Sequence, residues 1–443
     1  MYGKGKTMNR YLKKLTACVL TAALVVGGIL APELPADAKA VKKLEMDSTE
    51  SGAYVGYHAV PDKTYLYKRA GSLHVVSVRG QKLIDYTMTK TYQIRSKEEI
   101  DLPKYDVWGG YFHSDRGQNY VAVGYSNKKE KTNKAVIKVI RYDARWNKGK
   151  TAKIQGNASN QFAGIYSPFA AGNVSFDEYQ STLYMFTSRT MFKTSDGLHH
   201  QSNIAFAIDT TKMKATTDNV SYCSHSFNQY CKFAGGNLYV VDHGDAYPRG
   251  VKVTIYDGYG KSAADAGSNA HRGSVTALSF LGNIGNNSTG ATVGGLEVSS
   301  ANVLIAGTAQ PHNSTIDGVT GFSSAYGQNL YLIKRNRSTG SSSVRWLTNY
   351  NPKTSGQTVD RSRIVRISSN RFAVIYSVLN KTTNKRTTAC VYVDGDGKSI
   401  RNETFSDVQF RGGTQPIVFN GKVVFAEKPS SMKYPQIFEI PTK

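Results

Sequence analysis

The chain has 443 residues, carries 56 Lys and Arg against 32 Asp and Glu for a net charge of +24, and contains only four cysteines. Tyr (28) and Gly (41) are abundant and no long stretch repeats apolar residues every 3.6 positions, which excludes a helical bundle and favours an all-β chain with many turns. The charge points to anionic partners as a class (acidic glycans, teichoic-type polymers, anionic lipid surfaces or stray nucleic acid), with solubility as the competing explanation.

At the N-terminus Lys4, Lys6, Arg10, Lys13 and Lys14 precede an apolar or small-residue run from Leu15 to Leu30, broken by Pro32 and Pro35. This reads as a secretory leader over 1–38, cleaved after Ala38 or Ala40, and predicts a secreted, extracellular or cell-surface protein. Leu15-Thr16-Ala17-Cys18 resembles a lipoprotein cleavage box, but Cys18 stands at the beginning of the apolar core instead of after it, which argues against lipidation. No later apolar span predicts a transmembrane segment. Of the remaining cysteines, Cys231 and Cys390 fall within predicted strands; a Cys223–Cys231 bridge requires the chain to turn between them, since eight extended residues hold the Cα atoms beyond disulfide reach.

From residue 41 to 443 one pattern of strand, tight turn, strand, variable loop, strand and turn recurs, as in 222–261. Taking each unit by its second and third strands, the first pairs Tyr65–Lys68 with Leu73–Val78, followed by Lys82–Ile94 as its outer strand. The second pairs 119–125 with 135–142 and the third 182–188 with 203–208, the fourth is the 222–261 stretch itself, and the fifth and sixth pair 302–307 with 328–333 and 371–377 with 387–393. The last has 422–426 and 434–440. Arg116-Gly117, Gly235-Gly236-Asn237, Ser369-Asn370 and Asn420-Gly421 supply positive-φ turns between first and second strands. The final unit has no residues left for an outer strand, so the N-terminal segment over 41–50, or the stretch just after it, is expected to complete that sheet and remove its open edge.

These repeats resemble a secreted bacterial seven-bladed β-propeller, with six or eight blades as the alternatives, in blades of four antiparallel strands. The resemblance implies a single all-β domain and no particular activity. Trp-Asp strand ends are missing, the Gly-Gly pairs stand before or within inner strands, and Thr194-Ser195-Asp196-Gly197 lacks the spacing of a sialidase Asp-box.

In such a blade the loops between second and third strands share one end with the starts of the inner strands. That end collects Arg189, Asp196, His199, His200, His225, Asp242, His243, Asp245, Arg249, Gln310, His312 and Asp317 from the third, fourth and fifth units. Imidazoles and carboxylates on neighbouring loops could bind a sugar, act as an acid–base pair, or hold a divalent metal, although no cofactor is required by any motif. Lys128, Lys129, Lys131 and Lys134, and Lys381, Lys385 and Arg386, place positive charge on the same end, while Lys148, Lys150 and Lys153 decorate the other. The sequence therefore supports a monomeric binding module for a glycan or anionic surface polymer, without specific nucleic-acid recognition. A lyase or hydrolase using the His/Asp/Arg cluster, or a protein-interaction scaffold, are the alternatives.

Overall fold

The computed structural model describes residues 39–43, 54–55, 58–159, 162–247, 249–259, 271–280, 290–311, 327–427 and 436–442. All of them belong to the unit from Pro35 to Lys443. The expected leader, and His312 and Asp317 of the candidate cluster, lie outside the described residues.

After β1 (Lys39–Lys43) and the short hairpin of β2 (Tyr54–Val55) and β3 (His58–Ala59), the chain runs through antiparallel meanders. The first comprises β4 (Thr64–Arg69), β5 (Ser72–Arg79), β6 (Lys82–Met88) and β7 (Ile94–Asp101), and the second β8 (Val107–His113), β9 (Asn119–Gly124), β10 (Ala135–Tyr142) and β11 (Lys148–Gln155). A nine-stranded sheet follows, with β12 (Ile165–Pro168), β13 (Ser175–Tyr179), β14 (Thr182–Met191), β15 (Gln201–Asp209), β16 (Lys214–Asp218), β17 (Ser224–Ala234), β18 (Asn237–Tyr247), β19 (Gly250–Tyr256) and β20 (His271–Ser279). Two more four-stranded sheets are β21 (Thr292–Val298), β22 (Asn302–Ala309), β23 (Asn329–Asn336) and β24 (Ser342–Trp346), then β25 (Gln357–Ser368), β26 (Arg371–Asn380), β27 (Lys385–Asp394) and β28 (Ser399–Phe405), separated by the single-turn α1 (Pro352–Ser355). The last sheet holds β29 (Ile417–Phe419), β30 (Lys422–Glu427) and β31 (Gln436–Pro441), and β1 pairs antiparallel with β31 from Lys39↔Glu439 to Lys43↔Gln436.

The chain is thus an all-β propeller with four-stranded antiparallel blades, but two expectations need correction. First, five sheets are separate four-stranded blades, not seven, because the strands from β12 to β20 share one sheet. The reason is local: the β14–β15 hairpin outreaches β13 and β16, and its uncovered edges are taken by β12 on one side and by a Ser202↔Ser224 pairing with β17 on the other. Second, the first unit is displaced by one strand. Thr64–Arg69 is an inner strand, joined to β5 by a tight turn with Ala70 and Gly71 at φ 48° and 76°, and the supposed single outer strand from Lys82 is the β6–β7 pair.

Inner strands β4, β8, β13, β17, β21, β25 and β29 adjoin one another in cyclic order. Apolar side chains fill the spaces between neighbouring sheets: Tyr120, Ala122 and Val139 meet Leu183, Met185 and Phe206, and Val75 and Ile84 meet Val424 and Ile437 across the closure of chain ends. Strands covered on both faces are consequently buried throughout, as in β22, where an apolar run from Val303 to Ala306 is flanked by buried Asn302 and Thr308. The inner wall is tight: a Cβ at Gly294 of β21 would stand 2.2 Å from the Ser362 carbonyl of β25, so only glycine lets these strands approach. The Asn420-Gly421 turn takes φ of 49° and 70° as a tight hairpin requires, whereas Ser369-Asn370 turns without positive φ, beside a register shift between Arg366 and Ser368.

Candidate ligand-binding site

The sequence-predicted residues separate into a buried and an exposed group. Arg189 on β14 is fully buried and donates to the carbonyls of Asn203 (2.5 Å), Ala163 (3.2 Å) and Gly164 (3.4 Å), and burial lowers its pKa to about 10. It pins loops together and faces no open space. Asp242, His243 and Asp245 alternate along β18 but remain inside. Asp242 accepts hydrogen bonds from Ser226 Oγ (2.6 Å) and Asn203 Nδ2 (2.8 Å), and burial pushes its carboxyl up to about 6. His243 Nδ1 meets Asn228 Oδ1 at 3.0 Å, edge-on to Phe280, and burial followed by Arg249 depresses its pKa to about 3, keeping the ring neutral. Asp245 is raised to about 7 by burial although Arg249 Nη1 lies 3.0 Å away.

Toward solvent, Asp196 accepts from Thr194 Oγ1 and lies 2.6 Å from His200 Nε2, and these bonds hold its pKa down to about 2. His199 stacks on Tyr166 at 3.9 Å and turns Nδ1 to the Met191 carbonyl. His225 takes a left-handed φ of 49° beside Phe227, and burial lowers its pKa. Among the described residues none of these side chains lines the cavity on the central axis, and no group of three or more His, Cys, Asp and Glu is arranged to hold a metal ion. Cys223, Cys231 and Cys390 are buried free thiols, so no Cys223–Cys231 bridge is formed. The Asp394–Gly397 segment is a hairpin turn in which Asp394 Oδ1 accepts from the amides of Asp396 and Lys398.

A cavity of about 320 Å³ opens instead on the central axis. Its wall is built by inner strands: Tyr65 and Tyr67 from β4, Tyr111 to His113 from β8, Ser175 to Asp177 from β13, Tyr230 to Lys232 from β17, Leu296 and Glu297 from β21, and Arg363 from β25. Most of these stand in the later half of their strands, toward the first-to-second-strand turns and away from the histidine-bearing loops. Aromatic faces alternate with charge because every second residue of an inner strand points to the axis.

Arg363 spans the space: Nη1 donates to Tyr230 Oη (2.6 Å), and Nη2 donates to the Gly412 carbonyl (2.9 Å) and lies 3.4 Å from Asp62 Oδ1. Asp62 is fixed from the other side, its carbonyl accepting from Trp108 Nε1 (2.9 Å) and from the Tyr65 hydroxyl. Burial raises its carboxyl to about 6, with Arg363 pulling the other way. Lys232 Nζ and Glu297 Oε2 form a 2.6 Å ion pair; burial disfavours the ammonium, yet the attraction of Glu297 outweighs it and the pKa rises. Asp177 is likewise pushed up to about 6 by burial, despite accepting from the Phe233 amide at 2.6 Å. At neutral pH three carboxylates, Asp62, Asp177 and Glu297, face two cations, Lys232 and Arg363; below pH 6 protonation of Asp62 and Asp177 reverses that balance. The sequence signal for this site was the period-two polar stripe Tyr65/Tyr67, Tyr111/His113, Ser175/Asp177 and Tyr230/Lys232 on strands that otherwise read as core.

No protein-family model matches the chain, and no curated protein matches it. Among solved structures it is similar to polysaccharide lyase Uly1 (TM-score 0.46, 9% identity, 91% of this chain and 94% of that one). It is also similar to lignostilbene dioxygenase from Pseudomonas brassicacearum (TM-score 0.42, 9% identity, 79% and 73%) and to a thermostable family-43 glycoside hydrolase (TM-score 0.31, 9% identity, 66% and 95%). Likeness at this level carries no functional argument, and the fold rests on the strand pairing itself. Among the described residues no helix is long and apolar enough to cross a membrane.

Proposed function

We propose that this chain is a secreted, noncatalytic glycan-binding β-propeller whose recognition site is the central cavity.

The observation that carries the proposal is a cavity near the lower end of the size range of small-ligand pockets, about 300–1,000 Å³, which combines tyrosine and phenylalanine faces with a few fixed polar groups. A pyranose presents the matching chemistry, C–H faces for Tyr65, Tyr111 and Phe176 and hydroxyls for Tyr230, Asp62, Lys232 and Glu297. The histidine cluster is less open to a substrate, since Asp242, His243 and Asp245 are buried, although His243 Nε2 and Asp245 Oδ2 have no hydrogen-bond partner among the described residues.

Affinity measurements of the purified protein against neutral and acidic oligosaccharides test this, with Tyr230→Phe and Arg363→Met beside the native chain. Neutral oligosaccharides should bind at pH 7 and lose about tenfold in affinity in either variant. Acidic ones should gain on acidification below pH 6. Binding that ignores both substitutions rejects the cavity as the site, and release of shortened sugar products rejects the noncatalytic reading.

A further inference from the structure

The loop between β9 and β10 carries Lys128, Lys129, Lys131 and Lys134 within seven residues, a run that could be solvated decoration. Its structure is not that of a loose tip. Asn127 is buried at its root: Oδ1 accepts from the Lys131 amide (3.0 Å), and Nδ2 donates to the carbonyls of Lys131 (3.0 Å) and Ile165 (3.1 Å). The Asn127 amide donates to Tyr166 O, and Asn157 N donates to Thr132 O, so the loop is tied at both flanks to the neighbouring segment. Lys134 Nζ closes the ring onto the Ser126 carbonyl at 2.5 Å.

Within this frame lies a depression of about 540 Å³ lined by Ser126, Asn127, Asn133 and the four lysines, with no carboxylate in the lining. The loop does contain one acid, Glu130, but it is turned away. Glu130 takes a left-handed φ of 51°, and its Oε1 accepts from the Lys193 amide (2.8 Å) and lies 3.5 Å from His199 Nδ1. A non-glycine residue in that conformation carries strain that surrounding contacts must hold in place. Here the result is to turn the loop's own carboxylate away from a concave array of ammonium groups, while the Asp106 carboxylate is engaged at the root by the Ser126 amide (3.0 Å).

We propose that the 126–134 loop is an oxyanion-binding site that docks the carboxylate or sulfate groups of an acidic polysaccharide, separately from the central cavity. Lysine ammonium groups are compact charges with rotatable donors, suited to oxyanions spaced along a flexible polymer and lacking the rigid fork by which arginine grips phosphate. Ser126 and Asn133 between them offer partners to sugar hydroxyls. The lining has no aromatic ring on which a nucleic-acid base could stack and no apolar wedge to enter a membrane.

The test measures binding of the full chain to polygalacturonate (carboxylate) and heparin (sulfate), with dextran and duplex DNA as controls, across a salt series. K128Q/K129Q/K131Q should lose about tenfold or more in affinity for at least one acidic polysaccharide, with a shallower salt dependence. The variant K148Q/K150Q/K153Q removes the same charge from β11 and should stay within about twofold of the native chain. N127A keeps every lysine but unties the loop, and should fall between the two. At pH 7, where the cavity holds more carboxylates than cations, Tyr230→Phe should weaken neutral oligosaccharides and leave the salt dependence of polyanion binding as it was, which separates failure here from failure of the cavity reading. Equal losses in the two lysine triples would reduce the effect to net charge and overturn the proposal. So would an absence of binding at low salt, or duplex DNA bound as tightly through the same loop.

Discussion

The β17–β18 hairpin and the cavity wall hold similar chemistry under opposite conditions. Both contain carboxyls raised by burial to about 6, Asp242 in the hairpin and Asp62 and Asp177 on the wall, each beside a cation or a set of donors. In the hairpin the donors to Asp242 include Ser226 Oγ and Asn203 Nδ2, from strands already packed on it, and the carboxyl is buried. On the wall the same perturbation borders 320 Å³ of space with Tyr230, Lys232 and Glu297 around it. Displaced titration is therefore a mark of burial first, and becomes a mark of a binding site only where a cavity adjoins it.

The comparison breaks most visibly in stability. Asp242→Ala should cost about 2–4 kcal/mol in urea unfolding, because Ser226 Oγ and Asn203 Nδ2 lose a buried acceptor, while leaving oligosaccharide binding as it was. Tyr230→Phe should do the reverse, costing about 1 kcal/mol of stability through the lost Arg363 bond and about tenfold in oligosaccharide affinity.

Acidity sharpens the contrast further. Burial raises Asp242 and Asp62 from 3.8 to about 6, and Asp245 and Glu427 to about 7, so the folded state binds these protons more tightly than the unfolded chain. Their contribution to stability is complete below the unfolded value and is lost as pH rises through 6 to 7. Buried neutral His243 acts the other way below its ordinary value, so the readout is a difference: Asp242→Asn should gain stability relative to the native chain in thermal unfolding as pH rises from 4 to 7.

Cys231 lines the cavity whereas Cys223 is sealed beside Asp242. Burial raises both thiols, so neither reacts fast, but Cys231 should be alkylated before Cys223 when the native protein is treated with iodoacetamide and mapped by mass spectrometry. Equal labelling would mean that the cavity does not reach Cys231. The smallest effect belongs to the exposed pair: Asp196→Asn should leave the unfolding midpoint unchanged within error, since its bonds to Thr194 and His200 are open to water.

Much of the scaffold was readable because hairpin chemistry is local. Gly235-Gly236 and Asn420-Gly421 announce turns whose φ angles the structure takes, and the second and third strands from the second unit onward fall where alternation and turn residues put them. The first unit slipped because Ala70-Gly71 and Gly80-Gln81 are equally good turns, and nothing local says which strand of a meander is innermost. Loop position alone groups the histidines on one face. Position along the chain placed Asp242, His243 and Asp245 near one end of the ring, but whether their side chains meet solvent depends on Ser226, Asn228 and Asn203, which come from other strands.

What the chain determined by itself is the all-β character, the four-stranded meander and the need for an N-terminal strand at the last edge, since each follows from side-chain period, turn residues and unpaired backbone groups. Tertiary structure alone decided where a ligand could lie. Arg363, Tyr230 and Asp62 are separated by up to 301 positions and meet only because the inner strands close around one axis, where alternation turns their side chains into a shared space.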